Sequence, residues 1–251
     1  MEKWRHYWRA FHPSLTLNVY LVCAAEKIAE RIKRYFSEKE KPLLLDVDCG
    51  QGQLAVLLAE KTGLHIVALD IIEEALQTSR RLIEEKRLEG QVSLVRASVY
   101  NLPFREGVFD VAVSTGSESA AAYPGAPEEV SRVVTNRGLL FIDFTRMPNL
   151  YQPLRSLKSY FRYKKACQKQ RKGERTKYFH YGKLGLAERF ERKLGLSIEK
   201  SWRMNNSPPL GGKNLRLLFE RTLGKILSPL LARTILVELK NAGEKTSKRT
   251  K

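Results

Sequence analysis

Leu43-Leu44-Leu45-Asp46-Val47-Asp48-Cys49-Gly50-Gln51-Gly52-Gln53 is the stretch on which the fold of this 251-residue chain turns. Three leucines and a valine form a short apolar run of the kind found in a buried strand. The run ends in a loop carrying Gly50 and Gly52, after which Leu54, Leu57 and Leu58 recur at helical spacing. A strand, a glycine loop and a helix in succession make a ligand site. Glycine lets backbone N–H groups approach a ligand closely, and the helix N-terminus adds positive potential.

Outward from this loop, Leu64 to Asp70 reads as a second apolar strand ending in a carboxylate. An acidic side chain about 20 residues beyond a glycine loop, at the end of the next strand, suits a pair of ribose hydroxyls. The glycine spacing does not fit a nicotinamide fingerprint. It resembles the Asp-x-Gly-x-Gly-x-Gly loop of class I S-adenosylmethionine (SAM)-dependent methyltransferases of the type 11 kind, with Asp48 where that family usually has its first glycine. Asn101-Leu102-Pro103-Phe104 followed by Gly107 to Val113 resembles the family's fourth-strand segment. Glu129 to Val134 followed by Arg137 to Asp143 resembles its helix, turn and fifth strand. The likeness covers residues 42–145, and more loosely 178–240.

The resemblance implies an α/β fold, a doubly wound, seven-stranded, mostly parallel Rossmann-like sheet, with SAM as cofactor. It places Asp46, Asp48, Cys49, Gly50, Gly52, Asp70, Ile71, Ser98, Val99 and Ser114 at the cofactor. Asp46 would orient the methionine end, and Asp48 would either turn away or pair with the SAM ammonium. Ser98 stands where relatives place an acid for the adenine amine, and may also be read as an ordinary turn residue. No His/Asp or Cys/His pair suggests a catalytic base. By fold position, Ser114, Asp143, His180 and Asn206 are candidates, together with Ser207-Pro208-Pro209, which echoes an amine-methylating motif after the wrong strand.

The expected organisation is an N-terminal helical extension or lid (1–41), the cofactor core (42–145), a basic aromatic helical insert after strand five (146–182), the remainder of the fold with strands six and seven (183–242) and a basic tail (243–251). Within the extension, Ser14 to Ser37 reads as a helix with Leu15, Val19, Val22, Ile28 and Ile32 as its apolar stripe. Pro124 to Pro127 reads as a turn before a helix over Glu128 to Thr135, and Leu139 to Phe144 as strand five. Asn214 to Ala232 reads as an amphipathic helix lined by Leu215, Leu218, Phe219, Ile226, Leu227, Leu230 and Leu231. Such a helix either caps a core or lies on an anionic membrane.

Composition narrows the class. Hydrophobic residues at 43% and charged residues at 29% are those of a soluble globular protein. Cys23, Cys49 and Cys167 lack metal-ligand spacing, so neither zinc nor a disulfide framework is expected, and a reducing, cytoplasmic setting is. No run of 18 apolar residues exists to span a membrane. The formal net charge of +18 is segregated: residues 42–145 carry −6, residues 1–41 carry +4 and residues 146–251 carry +20. Ten cations against one acid, Glu174, lie between Arg155 and Lys177, interleaved with aromatic rings. Cations that neutralise phosphates beside rings that stack on bases point to RNA, with Arg162, Lys164, Lys165, Lys169, Arg171, Lys172, Arg175 and Lys177 as the contacts. The expected activity is therefore methylation of a base in ribosomal or transfer RNA, with an exocyclic amine such as cytidine N4 as one acceptor. The other reading is a small-molecule or lipid-precursor methyltransferase working at a membrane surface.

Overall fold

The computed structural model describes residues 19–115, 125–145, 196–204, 213–222 and 234–241. The elements are α1 (Val19–Tyr35), β1 (Leu44–Val47), α2 (Gln53–Thr62), β2 (Ile66–Asp70), α3 (Glu73–Glu85), β3 (Val92–Arg96), β4 (Phe109–Ser114), α4 (Ala126–Val133), β5 (Val134–Thr145), β6 (Leu196–Met204), α5 (Lys213–Arg221) and β7 (Thr234–Asn241). The seven strands form one sheet in the order β3-β2-β1-β4-β5-β7-β6. All neighbours from β3 to β5 are parallel, while β7 runs antiparallel to both β5 and β6. This is the doubly wound, mostly parallel sheet expected from the sequence. The basic insert (146–182), residues 183–195 after it, and the tail (243–251) lie outside the described residues.

Strands covered on both faces read as apolar runs because neither side meets water. Leu44, Leu45 and Val47 are fully buried, as are Val111, Ala112 and Val113. On one face, Leu44, Val111, Val113, Leu139 and Phe141 pack under α1, α2 and Ile83 of α3. On the other, Leu45, Val47, Ala112, Leu140 and Ile142 pack with Val130 and Val133 of α4. The α1 stripe is as expected from Val19 to Ile32, with Tyr20 and three alanines buried alongside it.

Four expectations need correction. Helix α4 begins at Ala126, so Pro127 belongs to its first turn rather than to the preceding turn. Proline is tolerated there because those N–H groups have no helical partner. The helix also ends earlier than expected, at Val133, because the next residue already pairs with the sheet. Strand β5 thus starts at Val134, and the expected turn at Arg137-Gly138 is a bulge inside it. Phe109 pairs with Val134 but Val111 pairs with Leu139. Arg137 adopts φ 71, and the Tyr35 hydroxyl donates to its carbonyl at 2.8 Å. On α5, Leu218 is 59% exposed and does not join an apolar seam.

Helix α1 is fastened to the far half of the sheet by charge. The Arg31 guanidinium donates to both carboxylate oxygens of Glu238 on β7, through Nε at 2.6 Å and through a second short bond from Nη2. Glu238 is fully buried. Arg221 of α5 donates to Glu26 of α1 at 2.5 Å. Arg31→Ala strands a buried carboxylate, and should lower unfolding stability by about 3–5 kcal/mol. Urea unfolding with an unchanged m-value and a lower midpoint is the expected result.

Candidate functional site

Adjacent parallel strands β1 and β4 feed helices on opposite faces, so a crevice opens beyond their C-terminal ends, where ligands of doubly wound folds bind. The sequence-predicted cofactor residues converge there. Asp46 lies on β1, Asp48 to Gly52 form the loop into α2, Asp70 and Ile71 end β2, Ser98 and Val99 follow β3, and Ser114 ends β4.

The loop holds its shape by backbone conformation and by one carboxylate. Asp48, Gly50 and Gly52 have φ of 56, 55 and 72. After glycine, aspartate and asparagine enter this left-handed region most readily. A carboxylate where a glycine is usual is therefore compatible with the loop. At Gly52 a Cβ would come within 2.8 Å of the Ser79 hydroxyl oxygen, so α3 packs flush against the loop. The Ser79 hydroxyl also donates to the Gly50 carbonyl at 2.9 Å. Asp70 accepts from the Gly50 N–H at 2.9 Å and from the Ile72 N–H at 2.8 Å. One side chain thereby joins the end of β2, the glycine loop and the start of α3. Burial pushes its carboxyl above the usual range, against the pull of the Ile72, Gly50 and Ile71 N–H groups. Two backbone donors fix the carboxylate and leave lone pairs for further donors.

Asp46 is 1% exposed, and its Oδ2 has no hydrogen-bond partner. Burial pushes its carboxyl well up, and Asp48 and Asp70 add to that, while the Ala55 N–H opposes it. The hydroxyls of Ser114 and Thr115, beyond β4, are likewise buried without partners. Unpartnered buried polar atoms are costly and rare, and here three lie at the ligand ends of the adjacent strands β1 and β4. A cationic, hydrogen-bonding group such as the methionine end of SAM fits the Asp46 carboxylate. Burial, followed by the charges of Asp46 and Asp70, raises the Cys49 thiol well above its usual range, so it stays protonated.

At the β3 end, the bonds of Ser98 fit the turn reading. The Ser98 hydroxyl accepts from the Tyr100 N–H at 3.3 Å, and its carbonyl from the Asn101 N–H at 3.0 Å. Ser98 is thus a turn residue in this structure. Val99 and Leu102 are buried nearby. The 102–104 segment is braced by Arg132, which donates to the Phe104 carbonyl at 3.0 Å and is paired with Glu129.

Among the catalytic candidates, Asp143 on β5 accepts a 2.7 Å hydrogen bond from the Tyr20 hydroxyl. His180, Asn206, Ser207, Pro208 and Pro209 lie outside the described residues, as do all eight cations assigned to RNA. Tyr20 and Thr115 were not foreseen as site residues: a lone tyrosine in an apolar stripe carries no functional signal. Among the described residues, no cluster could hold a metal ion and no helix is long and apolar enough to cross a membrane.

Residues 45–142 match the model of a methyltransferase domain family. The chain is 28% identical over 138 residues to 2-phytyl-1,4-naphtoquinone methyltransferase of Nostoc sp., covering 53% of this chain and 60% of that protein. It is 32% identical over 108 residues to the ubiquinone/menaquinone biosynthesis C-methyltransferase UbiE of Rhizobium johnstonii, covering 41% and 42%. The chain thus spans about half the length of these curated relatives. The solved structure of geranyl diphosphate methyltransferase in complex with SAM superposes with a TM-score of 0.56 at 12% identity, covering 88% of this chain and 85% of that one.

Asp46 makes the site sensitive to pH. A carboxyl that protonates more easily folded than unfolded supports the fold at low pH. It loses that contribution as pH rises from the ordinary carboxylate value, near 4, toward its raised folded value. Asp46→Asn should therefore match the parent at about pH 4 and melt at a higher temperature than the parent at neutral pH. Ligand-free thermal melts across that range test this, and a variant no more stable at neutral pH contradicts it.

Proposed function

We propose that this chain, whose residues 45–142 belong to the methyltransferase domain family, is a SAM-dependent methyltransferase acting on a small organic acceptor. The observation that carries the cofactor assignment is Asp70, held by the Gly50 and Ile72 N–H groups at the end of β2. Its remaining lone pairs suit the two ribose hydroxyls, and the N-terminus of α2, just beyond the glycine loop, adds positive potential for the methionine carboxylate. Asp46 would receive the ammonium. Val99 and Leu102 would line the adenine side.

The sulfonium of SAM is a strong methyl donor in itself. The chain's part is to hold donor and acceptor in line and to keep water out. A base is required only where the acceptor must first lose a proton. Asp143 and Ser114 are the described side chains at the right end of the sheet for that.

For the acceptor, the relatives' names favour small molecules: a naphthoquinone in one, ubiquinone and menaquinone precursors in the other. The exposed Leu218 on α5 is in keeping with an acceptor met at a lipid surface. The charge segregation, −6 in the core and +20 beyond it, favours RNA as the second reading.

Two measurements test the proposal. Asp70→Ala should weaken SAM binding by about 1.5–3 kcal/mol, the loss expected for hydrogen bonds to a charged group. Calorimetry giving unchanged affinity in a folded variant removes the cofactor assignment. Label from methyl-tritiated SAM should pass into a reduced 1,4-naphthoquinone. Neutralising Lys164, Lys165, Arg171 and Lys172 together should leave that transfer unchanged. Label passing instead into bulk ribosomal or transfer RNA, and lost in the quadruple variant, favours the RNA reading.

A further inference from the structure

The crevice has a second polar wall that no sequence motif marks. In the sheet, β4 lies between β1 and β5. Asp46 pairs with Val113, and Ser114 pairs with Ile142. Thr115 and Asp143, each one residue further along, are therefore lateral neighbours. Side chains of laterally paired residues share a face and alternate along a strand. Asp46, Thr115 and Asp143 thus belong to the face covered by α1 and α2.

Thr115 is 8% exposed and Asp46 1%, and each holds a polar atom with no partner. Tyr20 of α1, 4% exposed, reaches down to Asp143 at 2.7 Å across 123 residues of sequence. Burial raises the phenol well above its usual range, and the charge of Asp143 adds to this, so it remains a donor at neutral pH. A ligand group above the end of β4 has Asp143 about one strand spacing, 5 Å, away laterally, while Asp46 on the other side lies level with Val113, two residues further down the sheet.

We propose that Asp143, oriented by Tyr20 and set beside Thr115 at the end of β4, is a specificity-determining residue that senses the positive charge at the donor's reacting centre. Tyr20 is a positioning residue, acting through Asp143. The inference rests on the SAM reading above. Methyl transfer turns a cationic sulfonium into a neutral thioether, so a carboxylate beside that centre holds the donor and loosens its grip on the product. A carboxylate can do this because charges a few ångströms apart interact strongly in a site shielded from water.

The test uses two stable probes: sinefungin, which carries an ammonium in place of the sulfonium, and S-adenosylhomocysteine, the neutral product. Calorimetry on the parent should give tighter binding of sinefungin. Asp143→Asn should lower the sinefungin-to-product affinity ratio by about tenfold, as expected from removing one nearby unit charge. Affinity for the neutral product should change by less than about twofold, because its contacts with the loop and Asp70 remain. Tyr20→Phe, which keeps the ring in the α1 stripe and removes only the hydroxyl, should lower the ratio part of the way.

A parent that binds the neutral product more tightly than sinefungin overturns the proposal without any variant, and covers the case in which Asp143→Asn does not fold. A folded Asp143→Asn protein with the parent ratio overturns it as well, and a parent ratio in Tyr20→Phe removes the positioning role. Binding of neither probe to the parent defeats the SAM reading itself. Equal loss of both probes in the variants marks a purely structural pair.

Discussion

The Asp70 carboxylate, bonded to the Gly50 and Ile72 N–H groups, is the constraint on which the ligand end of this molecule depends. A parallel sheet ends in strands whose following loops are free to point anywhere. Here the end of β2 grips the loop after β1, while Ser79 holds the same loop from α3. The left-handed backbone at Asp48, Gly50 and Gly52 is then supported from two sides. A loop so held keeps its shape before any ligand arrives, so binding spends less on ordering.

That arrangement has a cost in stability. Asp46, Asp48 and Asp70 crowd one end of the sheet, and burial raises the carboxyls of Asp46 and Asp70. Unmatched buried polar atoms on Asp46, Ser114 and Thr115 cost about 1–3 kcal/mol each. The opposite half of the sheet is organised differently: its buried carboxylate, Glu238, is fully matched by Arg31. Unmet polarity is thus concentrated at the ligand end, and matched polarity fastens the scaffold. A tension between stability and binding of this kind is expected where polar groups are arranged for a partner.

The sheet and the loop after β1 are legible in the sequence because their signals are local. An apolar run, left-handed glycines and a carboxylate after the next strand lie within thirty residues of one another. What escaped was set by contacts between distant residues. Pro127 reads as a turn until the packing of Val130 and Val133 draws the helix start forward. Arg137-Gly138 reads as a turn between elements, yet the sheet absorbs it as a bulge held by Tyr35. Ser98 was weighed as an adenine contact and as a turn residue, and its bond to the Tyr100 N–H satisfies the second. The Tyr20–Asp143 bond joins residues 123 apart, and no periodicity reports such a pair. The RNA expectation rests on cations interleaved with aromatic rings, in residues that lie outside the described ones.

The position of β7 has a consequence for synthesis of the chain. This strand comes last among the described strands, yet it lies inside the sheet, between β5 and β6. Until it arrives, β6 has no neighbour to pair with, β5 is left with an open edge, and Arg31 lacks its buried partner. A chain emerging from the ribosome N-terminus first can assemble β1 to β5 early, but must wait for residues 234–241 to complete the sheet. A nascent or truncated chain lacking residues 234–241 would therefore expose a long apolar edge at β5, an invitation to pair with other chains.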